Sequence, residues 1–548
     1  MEILVRILFH PSRPRILLLS VLFFLAPLWT FPAEDTVKIQ SGLVAGSGTE
    51  IRVFKGIPYA APPTGELRWK PPQPPKPWEG VRQATEFGPF CMQIADYPPM
   101  NVHMLAQGSE DCLTLNIWTP ARDARARLPV MVWIHGGGFI FGAGDIDGES
   151  LARRGAVVVS FNYRLGVLGF LAHPVLAKES PRHSSGNYGL LDQITALRWV
   201  QRNIEAFGGD SKNVTIFGNS AGGSSVCLLL VSPLARGLFH RAITQSPADI
   251  ATPIPHTVKA WYGRPPLQQT GEELGADIAK LRDASSAELM KKWNSVQRTR
   301  AVDGWVIPDD PAVLLESGRF HRVPVLAGAN ADEGTAFLIE SSEFPYARMV
   351  PGLQRVKTTL AAYREYLRAT FRDSADQAFA LYPAASDRDV QTALGRLFGD
   401  LMFHLGTRFT AQAVARRGGK AYLYYFTRLS PGARKFGLGV MHENEVPYVM
   451  GYLSGVFPEP PPDLPPMEET DRSLSIAMSA TWVRFARTGD PNGGGLPTWP
   501  AVSRTATEYL EFGDKIQVGQ MDPERLRRLD FLAGYFDHLR RTRNTPGD

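Results

Sequence analysis

The sequence predicts an α/β fold: a large, mostly parallel central sheet flanked by helices, with long loop insertions. Three observations carry this. Apolar, β-branched runs at 156–161, 214–217 and 323–328 alternate with helix-period stretches at 189–204 and 311–318, the signature of βαβ units. Two glycine-rich turns each follow such a run directly. The residues suited to chemistry lie far apart in the chain, yet act together only if one sheet gathers them.

The first glycine turn follows the run Val130-Met131-Val132-Trp133-Ile134 and reads His135-Gly136-Gly137-Gly138-Phe139. Three consecutive glycines let main-chain N–H groups approach a bound group without side-chain obstruction. A phosphate cradle is disfavoured, because the chain has no Gly-x-x-x-x-Gly-Lys-Ser/Thr. The second turn, Gly218-Asn219-Ser220-Ala221-Gly222, sits between the run Val214-Thr215-Ile216-Phe217 and the small-then-apolar stretch 223–230. A serine there rides a sharp strand-to-helix turn, with its hydroxyl at the top of the sheet and a helix N-terminus behind it.

A serine hydroxyl is a weak nucleophile at neutral pH. It needs a base, a group that orients the base, and donors for a developing oxyanion. On a strand–turn–helix serine the acid and base follow in the order Ser, Asp/Glu, His. The run at 323–328 leads into Asp332-Glu333-Gly334, where either carboxylate fits the pattern. The run Ala421-Tyr422-Leu423-Tyr424-Tyr425-Phe426 leads through a loop to His442-Glu443-Asn444-Glu445. His442 therefore lies beyond a strand, where a base belongs. His404 falls within a helix-like pattern at 397–415 and reads as core or surface; His538 lies near a basic tail. His442-x-x-Glu445 could be half a metal site, but no second pair of matching spacing accompanies it.

These stretches resemble the type-B carboxylesterases, the family that includes the cholinesterases, on the α/β-hydrolase fold. The segment from Phe207-Gly208-Gly209-Asp210 to Gly218-Asn219-Ser220-Ala221-Gly222 is similar to the family's serine signature. Glu110-Asp111-Cys112-Leu113-Thr114-Leu115-Asn116-Ile117 resembles its second signature. Phe54-Lys55-Gly56-Ile57-Pro58-Tyr59-Ala60, Asn162-Tyr163-Arg164 and Thr488-Gly489-Asp490-Pro491 also look familial, so the resemblance runs from about Val37 to about Arg541. It implies a carboxylic-ester hydrolase with nucleophile Ser220, acid Glu333 and base His442. It places oxyanion donors on the N–H groups of Gly137, Gly138 and Ala221, and a supporting serine at Ser246. Pro247 follows that serine, where the family usually has glycine. The resemblance also implies a Cys91–Cys112 disulfide, and no cofactor or metal. An amidase, thioesterase or lipase on the same residues is the alternative. A non-catalytic binding protein of the same superfamily is disfavoured, because all three presumed residues are present.

Cholinesterases hold the quaternary ammonium on a tryptophan between their first two cysteines. The loop from Met92 to Asp111 has none, offering Tyr97, His103 and methionines instead, so a choline-ester specialist is disfavoured.

Composition narrows the rest. The chain has 548 residues, 44% hydrophobic and 21% charged, with a formal net charge of +5. This charge is mild for the length and does not imply nucleic acid. Length alone suggests several domains. A site spanning Ser220 to His442 argues instead for one domain over 34–548. Residues 1–33 read as a signal peptide: Arg6, Arg13 and Arg15 precede an apolar stretch at 16–27 that is short for a membrane span. The expected location is secreted or periplasmic, unless that segment stays as an uncleaved anchor. The expected partner is a small-molecule ester. Cys227, in the apolar stretch after Ser220, reads as a buried free thiol. Arg540, Arg541 and Arg543 read as a solvated basic tail.

Overall fold

The computed structural model describes residues 36–93, 108–293, 300–338, 359–453, 464–503 and 507–542. The expected signal segment, Tyr97, His103 and Arg543 lie outside them.

Thirteen strands are described. Strands β1 (Thr36–Ile39), β2 (Gly42–Ala45) and β4 (Val81–Gln83) form a small sheet. The other ten form one large sheet: β3 (Arg52–Pro58), β5 (Thr114–Thr119), β6 (Leu128–Ile134), β7 (Val157–Phe161), β8 (Gly209–Asn219), β9 (Arg241–Gln245), β10 (Val325–Asn330), β11 (Ala421–Phe426), β12 (Glu508–Phe512) and β13 (Ile516–Gln520). Their spatial order is β13-β12-β11-β10-β9-β8-β6-β7-β5-β3. From β7 to β12 every neighbouring pair is parallel, and antiparallel strands close both edges. Parallel strands need both faces covered. Accordingly, Val130, Val132 and Ile134 of β6 face one apolar cluster, while Met131 and Trp133 face another.

Helices supply the two covers. Helix α1 (Tyr188–Asn203) and helix α2 (Ala221–Val231) contribute to the first cluster. Every residue of α2 is buried, as its nearly unbroken apolar and small composition demands. Helix α4 (Glu469–Thr488) covers the other face with Leu474, Met478, Trp482 and Phe485. Helix α3 (Leu405–Arg416) continues a helical stretch begun at Asp387, and α5 (Pro523–Thr542) packs against it near the C-terminus. Each fully buried aliphatic or aromatic side chain contributes roughly 1.5–3 kcal/mol. The expected strands and helices all form, with ends moved by a few residues.

Cys91 and Cys112 are bridged, with Cα atoms 5.0 Å apart. Cys227 is free and buried in α2, and burial pushes its thiol up to about 11, which keeps it inert. The basic-tail expectation is half corrected. Arg541 is exposed beside Asp537, but Arg540 is buried, with Nε 3.6 Å from Asp310. The last turn of α5 folds back onto the body, so its inner arginine loses solvent.

Candidate active site

The site lies at the carboxyl ends of four adjacent parallel strands. Asn219, the last residue of β8, is level with Gln245, the last of β9. Asn330, the last of β10, is level with Phe426, the last of β11. The segments that follow carry Ser220, Ser246, Glu333 and His442. Ligands of open parallel sheets collect at such ends.

Ser220 occupies the turn between β8 and α2 with φ 58° and ψ −123°, a conformation costly for any L-residue. Its N–H donates to the Gln245 carbonyl at 3.0 Å, and its carbonyl accepts from Ser224 N–H at 2.8 Å. The turn is pressed against the first glycine loop. A Cβ on Gly222 would lie 2.0 Å from the Ile134 carbonyl oxygen, so only glycine fits. A Cβ on Gly136 would lie 3.2 Å from Ser220 Cβ and 3.4 Å from Glu443 Oε1. Gly136 is thus wedged between the serine and the residue after His442. Gly137 and Gly138 both take positive φ, 93° and 61°. Among the described residues no main-chain carbonyl accepts from the N–H groups of Gly137, Gly138 or Ala221. His135 stacks on Tyr163 with ring centroids 4.2 Å apart, and burial drives its pKa down to about 4, so the loop carries a neutral imidazole.

The adjacent carboxylates take different directions. Asp332 is exposed and grips Val440: its N–H donates to the Val440 carbonyl, and its Oδ2 accepts from Val440 N–H, both at 2.9 Å. Glu333 is fully buried. Its Oε2 lies 2.5 Å from His442 Nδ1. Its Oε1 accepts from Ser246 Oγ at 2.5 Å and Asn330 N–H at 2.7 Å. Pro247 does not disturb this, because Ser246 takes φ 47° and turns its hydroxyl inward. Burial raises the Glu333 pKa, but the charge and hydrogen bond of His442, the charge of His404 and the Ser246 hydroxyl outweigh it; the net shift is downward. For His442 burial works against the proton, but Glu333 outweighs it and the net shift is upward from 6.5.

The His442 ring is stacked on Phe403, with centroids 4.1 Å apart, and Phe337 lies 5.7 Å away. Its Nε2 is buried and has no hydrogen-bond partner among the described residues; in particular it is not bonded to Ser220 Oγ. Such contacts are often long without substrate and tighten in the complex.

Sequence reasoning missed the group beneath the site. Glu445 is fully buried and accepts from three side-chain amides: Asn219 Nδ2 at 2.7 Å, Gln245 Nε2 at 3.0 Å and Asn330 Nδ2 at 2.6 Å. Each amide is the last residue of its strand. The Trp482 indole N–H donates to Gln245 Oε1 at 3.2 Å, which leaves the amide nitrogen for Glu445. One carboxyl therefore ties the ends of β8, β9 and β10 together. Burial and the nearby Glu333 charge raise its pKa, while the Asn330 and Gln245 amides oppose the rise. The signal was available: three strands of the sheet each end in an amide. The half metal site at His442-x-x-Glu445 finds no completing ligands, and no metal-ligating cluster occurs among the described residues.

The ordered sheet and the serine on its strand–turn–helix corner define an α/β-hydrolase. A sequence model described as "Carboxylesterase family" matches residues 33–529. The chain therefore belongs to the carboxylesterase family, and it is a serine hydrolase that cleaves carboxylic esters. It is 42% identical over 499 residues to the fumonisin B1 esterase of Sphingopyxis macrogoltabida, covering 88% of this chain and 87% of that one. It is 34% identical over 516 residues to the para-nitrobenzyl esterase of Bacillus subtilis (strain 168), covering 90% and 98%. A solved structure of a PNB esterase superposes with a TM-score of 0.72 at 31% identity, covering 90% of this chain and all of that one.

Proposed function

We propose that hydrolysis proceeds through an acyl-enzyme on Ser220, with His442 as general base and Glu333 as its orienting acid. His442 Nε2 takes the hydroxyl proton as Ser220 Oγ attacks the ester carbonyl carbon. The carbonyl oxygen becomes an oxyanion held by the N–H groups of Gly137, Gly138 and Ala221. Collapse breaks the bond to the alcohol, which leaves with the proton from His442. A water then attacks the acyl carbonyl, gives its proton to the same nitrogen, and releases the acid as that proton returns to Ser220. Glu333 holds Nδ1–H in place and stabilises the imidazolium in each step.

The observation that carries this reading is the 2.5 Å Glu333–His442 contact, with the other ring nitrogen left free. The wedging of Gly136 between Ser220 and the His442 loop supports it. A fluorophosphonate probe is expected to label Ser220 alone, as read by peptide mass spectrometry. Labelling of any other serine, with Ser220 unmodified, would remove the mechanism.

The base must be unprotonated to act, and His442 binds its proton more tightly than a free imidazole. The free base is therefore lost as pH falls through a value above 6.5. The acid limb of kcat/KM is expected there, measured with a neutral ester whose own charge does not change. A limb below 6 would contradict the Glu333–His442 coupling.

The substrate is a small-molecule carboxylic ester. Residues 34–548 act as one catalytic domain behind an export segment at 1–33. The Cys91–Cys112 bridge supports an oxidising location, since such bonds persist outside the reducing cytosol. No helix among the described residues is long and apolar enough to cross a membrane.

A further inference from the structure

Between the helical stretch Asp387–Gly399 and α3 the chain makes a π-helical turn, Asp400–His404. Such single wide turns recur at functional sites, because the extra residue re-aims side chains. Here the turn presents two consecutive residues to the active site. Phe403 stacks on the His442 ring. His404, buried at 4% exposure, runs beneath the loop that carries the acid.

His404 is held at both ring nitrogens. Nδ1 lies 2.8 Å from Asp400 Oδ1, and Nε2 lies 2.8 Å from the main-chain carbonyl oxygen of Asn330. A carbonyl cannot donate. Asp400 is itself engaged as a carboxylate: its Oδ2 accepts from Arg528 Nε at 2.7 Å and Tyr382 OH at 3.1 Å. Both of the ring's contacts are therefore satisfied only when both nitrogens carry protons. The residue that His404 grips is also the one that feeds the acid, since Asn330 N–H donates to Glu333 Oε1. The acid and the ring are close: a Cβ on Gly399 would lie 3.4 Å from Glu333 Cβ and 3.7 Å from His404 Cε1.

We propose that His404 is a positioning residue for the acid, fixing the Asn330–Glu333 turn and offsetting the Glu333 charge with its own. The proposal rests on the Ser220–His442–Glu333 reading above. The charged and titratable groups around the ring fit this role. Asp400 and Tyr382 lie on one side with Arg528 of α5. Tyr425 of β11 has its ring 5.4 Å away, and Arg525 of α5 lies over Tyr425 at 4.7 Å. Glu333 faces it across the turn, Glu445 binds the Asn330 side chain, and His442 lies beyond Phe403. The Asp400 carboxylate at Nδ1 and the Asn330 carbonyl at Nε2 fix the ring between the π turn and the Glu333 segment. The His404 charge also favours the ionised form of Glu333 in the balance that sets its downward shift.

The sign follows directly. A positive group beside Glu333 opposes a second positive charge on His442. Without it, His442 keeps its proton to higher pH, and the acid limb of kcat/KM moves up.

The test uses His404→Leu and His404→Gln in the full chain, each first checked for fold by thermal unfolding and for saturable fluorophosphonate labelling at Ser220. Leucine removes both donors and the charge. It is expected to lower kcat about tenfold, with KM within about twofold, because the acid turn loosens. Glutamine keeps one N–H for the Asn330 carbonyl but no charge. It is expected to keep kcat within about threefold while the acid limb rises by about half a pH unit. A glutamine variant with the wild-type limb would overturn the charge role, whether or not the leucine variant folds. A folded leucine variant with the wild-type kcat would overturn the positioning role. Full turnover in a Ser220→Ala variant would instead remove the mechanism on which the proposal stands.

Discussion

Replacing Ser220 with alanine is expected to lower kcat for a simple ester by about four to six orders of magnitude. Midpoint unfolding temperature should barely change. Alanine meets the same main-chain demand at φ 58° and ψ −123°, and the serine contacts that hold the turn run through its N–H and carbonyl, which alanine retains. What disappears is the hydroxyl oxygen proposed to form the acyl bond. Residual turnover would come from the oxyanion donors acting on water alone. Active-site titration and a thermal melt on the same preparation check both halves. Turnover within tenfold of wild type would end the proposed mechanism.

Glu333→Gln is expected to lower kcat by about three to four orders of magnitude, against a change within about threefold for Asp332→Asn. The reason is directional. Oε1 of Glu333 already accepts from Ser246 Oγ and from Asn330 N–H. A glutamine must therefore keep its carbonyl oxygen there and turn its NH2 toward His442 Nδ1. That nitrogen would then have to accept, placing the ring proton on Nε2, where it blocks proton uptake from Ser220. The Asp332 side chain accepts from Val440 N–H at an exposed position, so its amide loses at most that one main-chain contact. Purified variants assayed side by side for kcat decide this. The reverse ranking would move the orienting role to Asp332.

Much of the site was legible in the sequence because its demands are local. A serine on a sharp strand–turn–helix corner requires small neighbours, and Gly218, Ala221 and Gly222 are written beside it. A loop that offers bare N–H groups requires glycines, and Gly136, Gly137 and Gly138 stand together after an apolar strand. The parallel sheet was legible for a similar reason: strand segments buried on both faces must be largely apolar, as β6, β11 and the stretches 214–217 of β8 and 325–329 of β10 are. The family resemblance then pointed to Glu333 and His442.

Only the tertiary structure decided which groups meet. Asp332 and Glu333 are neighbours of like charge, and nothing local says which turns inward; the packing of the 440–442 loop against the segment after β10 does. Glu445 gathers three strand-end amides because the sheet places β8, β9 and β10 side by side, an order the chain does not spell out. Arg540 looked like a solvated tail residue until α5 folded back onto Asp310. His404 carried a helix-like pattern, and that pattern was right. Its meaning came from a π turn and from contacts 74 residues back, at Asn330. Backbone conformation is set by neighbours along the chain, so sequence determined it. Hydrogen bonds and charge pairs are set by neighbours in space, and these exist only once the sheet is assembled.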